Sequence, residues 1–410
     1  MSDQTIHPAV EVGSAGTRGS VLEVLWVATK LGLTSFGGPI AHLGYFHDEY
    51  VRRRKWLDEH SYADLVALCQ FAPGPTSSKV SFSLGLLRAG YLGGLAAWVG
   101  FTLPSALALL LFAYGAGALS GPVGTGVLHG LKLVAVAIVA QAVWGMARTL
   151  CPDRERASIA GAAALIVLLS TSALSQLAAI LVGAVTGAWL CRHSGVARAE
   201  HAPIKVSRRV GVAALVVFFG LLFGLPLLRG LVQSQAIATM EAFYRSGALV
   251  FGGGHVVLPL LREAVVVPGW VSDDAFLAGY GAAQAVPGPL FTFAAYLGAV
   301  MGPAPHGLSG AALGLVAIFL PGLLLHLGTL PFWETFRRRA GTQAVMRGIN
   351  AAVVGLLGAA LYSPIWTSAI QGPQDFAVAL VGFILLIGWK TPPVVVVAVS
   401  ALGGAAFALF

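Results

Sequence analysis

The stretch "QFAPGPTSSKVSFSLG", residues 70–85, places a Pro-Gly-Pro motif inside an apolar run, and "QAVPGPLFTFAAYLG", residues 284–298, does so again. Proline ends the preceding helix because it has no N–H group and restricts the residue before it. Glycine permits the turn, and the second proline suits the first turn of a new helix. Each motif therefore predicts a helix that breaks and then restarts.

The chain around these motifs is too apolar for a water-soluble protein. It has 410 residues, of which 57% are hydrophobic and only 10% are charged, whereas a soluble protein has about 25% charged residues. The 52 glycines fit membrane helices, in which small residues let backbones approach closely. We therefore expect an all-α integral membrane protein. The first 20 residues are polar and do not resemble a cleaved signal peptide.

The two Pro-Gly-Pro motifs belong to a longer internal repeat. Lys30 corresponds to Arg245, and Pro104 corresponds to Pro321. The other matches follow in the same order: "TKLGLTSFGGP" (29–39) with "YRSGALVFGGG" (244–254), "FTLPSALALLL" (101–111) with "IFLPGLLLHL" (318–327), and "GLKLVAVAIVAQAVW" (130–144) with "GINAAVVGLLGAALY" (348–362).

The repeat divides the chain into four parts. Residues 1–20 form a cytoplasmic tail, 21–192 the first repeat, 193–237 a basic linker with one apolar segment, and 238–410 the second repeat. If each repeat returns to its starting side, the one additional crossing between them turns the second repeat upside down.

The basic loops agree with this inversion, because cytoplasmic loops carry an excess of Lys and Arg. The loop 47–60 contains four consecutive basic residues, whereas its counterpart 262–274 has one Arg and three acids. Conversely, residues 335–348 are rich in Arg, and their counterpart 119–124 has no charge. The pattern predicts inverted-topology repeats, a cytoplasmic N-terminus and about thirteen membrane-embedded segments. The net charge of +8 is assigned to these loops, so no nucleic-acid partner is expected.

Breaks in membrane helices are tolerated only where the backbone is buried in protein or lines a wet cavity. The Phe-Gly-Gly sequences at 36–38 and 251–253 predict two further breaks. Each restarted helix directs free N–H groups and the positive end of its dipole into the break, and such helix N-termini bind anions. We expect up to four of these N-termini to meet in one cavity at the membrane midplane.

The side chains near the breaks also favour an anion. Lys30, Lys79 and Arg245 supply positive charge, hydroxyl groups follow the first motif, and acids are nearly absent. The sequence therefore predicts a site, without a carboxylate, for a small tetrahedral dianion. The candidate substrate-binding residues are Lys30, Gly37, Gly38, Pro39, Pro73, Gly74, Pro75, Thr76, Ser77, Lys79, Arg245, Gly252, Gly253, Gly254, His255, Pro287, Gly288, Pro289 and Thr292.

Structural roles for these residues are the alternative interpretation. The three cations can extend along their stems to the membrane interface, and the hydroxyl groups can bond only to backbone. His42 and His255 can be structural, and His129 and His326 are interpreted in that way.

The motifs resemble those of the chromate ion transporter family, in its long form with both halves fused. The likeness covers nearly the whole chain and is carried by four stretches: "SFGGPIAHLGYFHDEYV", "QFAPGPTSSKVSFSLG" followed by "GFTLPS", "FGGGHVVLPLL" and "QAVPGPLFTFAAYLG". The resemblance implies efflux of chromate across the bacterial inner membrane, driven by the proton motive force and giving chromate resistance. Chromate is a sulfate-shaped dianion and suits the predicted site.

Several alternatives stay open beside this resemblance. The cargo can be sulfate or another small oxyanion, with uptake as the direction, and a channel is a weaker alternative. An intramembrane enzyme is disfavoured by the absence of paired carboxylates and of His/Cys metal spacing, and no cofactor or metal is expected. A homodimer remains open. The candidates for proton coupling are Glu23, Asp64, Glu241, His42 and His255.

Overall fold

A computed structural model describes residues 19–36, 38–71, 73–116, 121–170, 175–192, 206–251, 254–333 and 340–408. These residues form helices and connecting turns, with no strand among them. A helix satisfies its own backbone hydrogen bonds and so tolerates an apolar surrounding. The prediction of an all-α protein is confirmed for the described part of the chain.

The first half contains the break that its Pro-Gly-Pro motif predicts. One helix ends at Phe71 and the next begins at Thr76. That second helix bends at Ala89 and Gly90, where the backbone leaves the helical region. The helices of this half are α1 (Val21–Thr34), α2 (Gly38–Phe46, extended by the π-helical turn His47–Arg53), α3 (Glu59–Phe71), α4 (Thr76–Ala116), α5 (Gly121–Leu150), α6 (Arg154–Leu169) and α7 (Ser175–Leu190).

The second half repeats this order after a single connecting helix, α8 (Arg208–Leu231). Its second break separates a helix ending at Ala285 from the 3-10 turn Leu290–Thr292. The helices of this half are α9 (Gln235–Ala248), α10 (Val257–Leu261), α11 (Asp273–Ala285), α12 (Phe293–Val300), α13 (Gly307–Thr329), α14 (Ala340–Ala360), α15 (Pro373–Ile387) and α16 (Pro393–Phe407). Short helical turns extend several of them: Gly254–Val256, Arg262–Val266, Leu330–Phe332, Leu361–Trp366 and Thr367–Ala369.

Within the described ranges, five helical segments are long and apolar enough to cross a membrane: Thr76–Gly115, Gly121–Leu150, Arg208–Leu231, Gly307–Phe332 and Gly341–Ala369. The last two helices of each repeat are shorter, with 16 residues in α6 and α7 and 15 in α15 and α16. A 30 Å hydrocarbon core needs about 20 helical residues. Large apolar side chains such as Phe223 and Leu227 are exposed on α8, as expected for a surface in lipid. The chain is a multi-pass membrane protein.

In each repeat, the long helix that precedes the last two packs on the last two helices of the other repeat. Helix α5 lies along α15 and α16, and α14 lies along α6 and α7. Glycine allows both close approaches, because a Cβ at Gly130 would collide with the Ser400 carbonyl, and a Cβ at Gly348 with the Gly183 carbonyl. Gly130 and Gly348 are matched positions of the repeat. Each repeat therefore makes the same helix contact with the other.

Candidate functional site

The two Pro-Gly-Pro motifs each bind the opposite half of the chain. The Gly74 amide donates to the Val250 carbonyl at 2.7 Å, and the Gly288 amide donates to the Ser35 carbonyl at 2.9 Å. Ser35 and Val250 are matched positions, each directly before a Phe-Gly-Gly sequence. Each Pro-Gly-Pro break of one half therefore meets the Phe-Gly-Gly break of the other.

Glycine is required at the centre of both motifs. Gly74 has φ of +99° and Gly288 has φ of +102°, a left-handed conformation that side chains disfavour. A Cβ on Gly74 would lie 2.9 Å from the Cα of Gly322, and one on Gly288 would lie 2.8 Å from Ser105 Oγ. Gly322 and Ser105 each follow the matched proline of α13 or α4. We call each contact between a Pro-Gly-Pro motif and the opposite half a junction. The first junction is formed by the segments of Gly74, Val250 and Gly322, and the second by those of Gly288, Ser35 and Ser105.

Lys79 brings a positive charge to the first junction. It lies in the first turn of α4 and is fully buried. Its Nζ donates to the Pro73 carbonyl at 3.1 Å, so the side chain folds back to the break instead of extending to the membrane interface. Ser77 and Ser78 in the same turn are buried as well. The predicted combination of cation, hydroxyl groups and helix N-terminus is present here.

Lys30 and Arg245 have surroundings that differ from the expectation. Lys30 Nζ lies 2.9 Å from Glu49 Oε2, and Arg245 Nε lies 2.7 Å from Glu241 Oε1. Both carboxylates are buried, and each also pairs with a further arginine. The expectation of a carboxylate-free surrounding is wrong for these two cations. A buried carboxylate needs charged partners, so Lys30 and Arg245 serve to balance the charges of Glu49 and Glu241.

Lys30 also lies in an open cleft at the protein surface. It lines an open cleft of about 420 Å³ together with Arg52 and Arg53, which belong to the basic loop. Its side chain is 40% exposed, whereas Lys79 is fully buried. Of these two lysines, Lys79 is the one that the structure places at a break.

The described predicted residues after the Phe-Gly-Gly sequences begin short helical segments. Gly38 and Pro39 open α2, and Gly254 opens the turn that contains His255. The Nδ1 atom of His255 lies 2.6 Å from the Tyr280 hydroxyl. Gly37, Gly252 and Gly253 lie outside the described residues.

The hydroxyl group that follows the second Pro-Gly-Pro motif bonds to the backbone of the motif. Thr292 donates its Oγ1 hydrogen to the Pro289 carbonyl at 2.8 Å. Pro287 and Gly288 are half-buried, and Thr292 is buried. Because Thr292 is satisfied within the motif, it offers less to a ligand than the sequence alone suggests.

Beside this second motif lie two buried hydroxyl groups that the sequence did not single out, Ser35 and Thr102, and His42, a candidate for proton coupling. Ser35, His42 and Thr102 are each at most 1% exposed. Within the described part of the chain, neither the two hydroxyl groups nor the ring nitrogens of His42 have a hydrogen-bond partner. The His42 ring packs on Phe101 at 5.3 Å between centroids. Leaving such a group unpaired costs about 1–3 kcal/mol, so a polar partner for these groups would be favourable.

Broken membrane helices that meet at the contact of two repeats, with a buried lysine at one break, are typical of membrane transport proteins. The chain belongs to the chromate transporter family, because the family model described as "Chromate transporter" matches residues 22–188 and 237–405. The match covers both repeats and confirms the resemblance seen in the motifs.

Three similar proteins from named organisms show how much of the chain the likeness covers. The "Chromate transport protein" of Pseudomonas aeruginosa is 29% identical over 391 residues, which is 93% of this chain and 90% of that protein. The "Probable chromate transport protein" of Synechococcus elongatus is 25% identical over 429 residues, 98% of this chain and 97% of that protein. An uncharacterized transporter of Bacillus subtilis is 32% identical over 174 residues, 41% of this chain and 86% of its own. No solved structure matches the chain.

Proposed function

We propose that this protein is a secondary transporter that exports chromate across the bacterial inner membrane, driven by the proton motive force, and so gives chromate resistance. Family membership supports chromate as the cargo. The observation that carries the proposal is the exchanged pair of hydrogen bonds, Gly74 to Val250 and Gly288 to Ser35. These bonds bring the breaks of both repeats together, where a small dianion can meet several free amide groups.

In this proposal the two repeats, 21–192 and 238–410, have opposite orientations in the membrane. About thirteen segments are then embedded, with each broken helix counted as one, and the N-terminus is cytoplasmic because the basic loops belong on that side. The alternating loop charges and the single connecting helix α8 support the inversion. The exchange of equivalent contacts between the repeats supports an approximate two-fold relation, as inverted repeats have.

The anion site in this proposal is centred on the first junction. Lys79 supplies the charge, and the amide groups at the start of α4 supply hydrogen bonds to the oxygens. The hydroxyl groups of Thr76 and Ser77 add further donors. The unpaired groups of Ser35 and Thr102 give the second junction a polar lining on the other side of the same interface.

The membrane potential alone favours export of a dianion. Moving one charge through 100 mV is worth about 2.3 kcal/mol, so a dianion that leaves a negative interior gains about 4.6 kcal/mol per 100 mV. Coupled protons change this amount according to their number and direction. Transport is therefore expected to respond to the potential even without a pH gradient.

Inverted membrane vesicles test the proposal. We expect them to take up labelled chromate when an interior-positive potential is imposed, and excess sulfate should compete weakly. The variant Lys79→Met should lose this uptake. The matched control is Lys132→Met, because Lys132 also lies in a membrane helix but pairs with the exposed Asp274. Wild-type vesicles without potential-dependent chromate uptake would contradict the proposal, and stronger uptake of sulfate would favour the alternative cargo.

A further inference from the structure

A cluster of buried polar side chains joins the two repeats beside the first Pro-Gly-Pro motif. His326 of α13 places its Nε2 atom 2.6 Å from Ser83 Oγ of α4. Cys69 Sγ of α3 lies 4.0 Å from the same nitrogen, and Lys79 is within electrostatic range of both His326 and Cys69. All four side chains have no exposed surface. His326 therefore connects the second repeat to the broken helix of the first.

The second ring nitrogen of His326 is available for a proton. Nδ1 is buried and has no hydrogen-bond partner among the described residues, while Nε2 is occupied by Ser83. Neutral imidazole always has one nitrogen that can accept a proton. With Ser83 accepting from Nε2–H, that nitrogen is Nδ1. Uptake of a proton there makes the ring a cation without breaking the contact with α4.

The repeat shows that the fold does not require this cluster. In the matched segments "FTLPSALALLL" and "IFLPGLLLHL", the position of His326 is occupied by Leu109 in the first repeat. Counted from the two Pro-Gly-Pro motifs, the position of Lys79 is occupied by Phe293 in the second. Leu109 and Phe293 are both fully buried. The second junction is thus packed without a titratable group at either position, so packing alone does not explain the histidine and the lysine.

We propose that His326, acting together with Lys79, is the site that binds the transported proton and couples it to the anion. The proposal rests on the function proposed above. A dianion at the first junction lies beside both groups, and an opposite charge favours the protonated form of each. Proton and anion therefore strengthen each other's binding, and this coupling is reciprocal. His326 takes up a proton on Nδ1 when the anion binds and releases it together with the anion. One cycle then exports one net negative charge, so the membrane-potential component of the proton motive force drives it.

Charged groups on the other helices packed against α13 do not take this role. Helix α9 carries Arg245, which is already paired with Glu241. Helix α8 carries the exposed Arg208 and Arg209 at its first turn, and near its end Arg229, which pairs with Glu241. Helix α12 has no charged residue. Lys79 of α4 and Cys69 of α3 are the titratable groups near the buried ring of His326, and the positive charge of Lys79 opposes protonation of the ring until an anion lies beside both groups.

Calorimetric titration of the purified full-length protein in detergent tests this proposal. Chromate is titrated in two buffers of different ionisation enthalpy, at a pH where chromate is a dianion. The difference in heat gives the number of protons taken up with each bound anion. We expect net proton uptake by the wild-type protein and by His306→Leu, a control at an exposed histidine. The variant His326→Leu introduces the side chain found at Leu109, and it should bind chromate without proton uptake.

The outcomes separate this inference from the function on which it rests. Chromate binding by His326→Leu with proton uptake equal to that of the wild type would overturn the inference alone. Absence of chromate binding by the wild-type protein would overturn the proposed function, and the coupling site with it. If His326→Leu does not fold, His326→Gln gives the same measurement, because glutamine keeps a hydrogen-bonding group near Ser83 and does not titrate.

Discussion

Gly74 and Gly288 have the same role in the two junctions. Each adopts a left-handed backbone conformation, and each donates its amide to a carbonyl of the opposite repeat. A side chain at either position would strain the backbone and would displace the part of α13 or α4 that follows its matched proline. The sequence predicted these glycines because Pro-Gly-Pro has few other structural solutions.

Replacing either glycine by alanine should disturb transport more than insertion. Backbone strain costs about 1–3 kcal/mol, and the new Cβ would also clash with Gly322 or Ser105. We expect Gly74→Ala and Gly288→Ala to reduce chromate uptake by vesicles at least about tenfold at equal protein level. Gly220→Ala on α8, where a Cβ meets no atom within 4 Å, is the control. Full activity of both junction variants would show that the close approach is not needed.

Glu241 is expected to contribute to stability. It is 5% exposed and binds both Arg229 and Arg245, so Glu241→Gln leaves two cations beside a neutral amide. Loss of a hydrogen bond to a charged group costs about 1.5–3 kcal/mol, and the midpoint of thermal unfolding in detergent should fall. Asp48→Asn, at an exposed carboxylate that pairs with the exposed Arg52, should change it little. Equal midpoints for Glu241→Gln and the wild type would contradict this role.

The sequence predicted individual site residues unevenly. Lys79 follows its motif by one turn and lies where expected. The partner of Arg245 could have been predicted, because Glu241 lies four residues earlier on the same helix. The partner of Lys30 could not, because Glu49 reaches Lys30 only through the fold of the π-helical turn after α2. His326 was interpreted as structural, since no local pattern shows that α13 brings it to the opposite repeat.

At the scale of helices, glycine sets how closely α14 crosses α7. A Cβ at Gly348 would meet the Gly183 carbonyl and would lie 2.5 Å from the Cα of Gly187. We expect Gly348→Ala to lower the thermal midpoint in detergent, because the helices must separate. Gly358→Ala on the same helix has open space and should match or slightly exceed the wild type, since alanine favours a helix over glycine by about 0.5–1 kcal/mol. The same response of both variants would contradict this packing.

Helix breaks were easier to predict than helix lengths. Proline and glycine act locally, so the ends of α3 and α11 lie where the motifs indicate. The bend of α4 at Ala89 and Gly90 was not predicted, because a glycine with φ of 68° is one among many glycines in an apolar run. Which helices exchange between the repeats depends on long-range packing that periodicity does not contain.

For the whole molecule, the proposed inversion predicts opposite accessibility of matched loops. Arg53 lies in the basic loop of the first repeat, and Val267 lies in the matched loop of the second, where it is 58% exposed. In a background without Cys69, Cys151 and Cys191, Val267→Cys should react with an impermeant maleimide in intact cells. Arg53→Cys should react only after permeabilisation. Labelling of both from the same side would contradict inverted topology.

The central claim is that the contact between the broken helices of the two repeats holds the anion. Anomalous diffraction at the chromium edge, from crystals grown with chromate, tests this most directly. We predict one strong peak beside Lys79 Nζ and the first turn of α4, placed so that the chromate oxygens accept hydrogen bonds from them. A chromium peak only at the surface cleft near Arg52 and Arg53, with none at the first junction, would contradict the account.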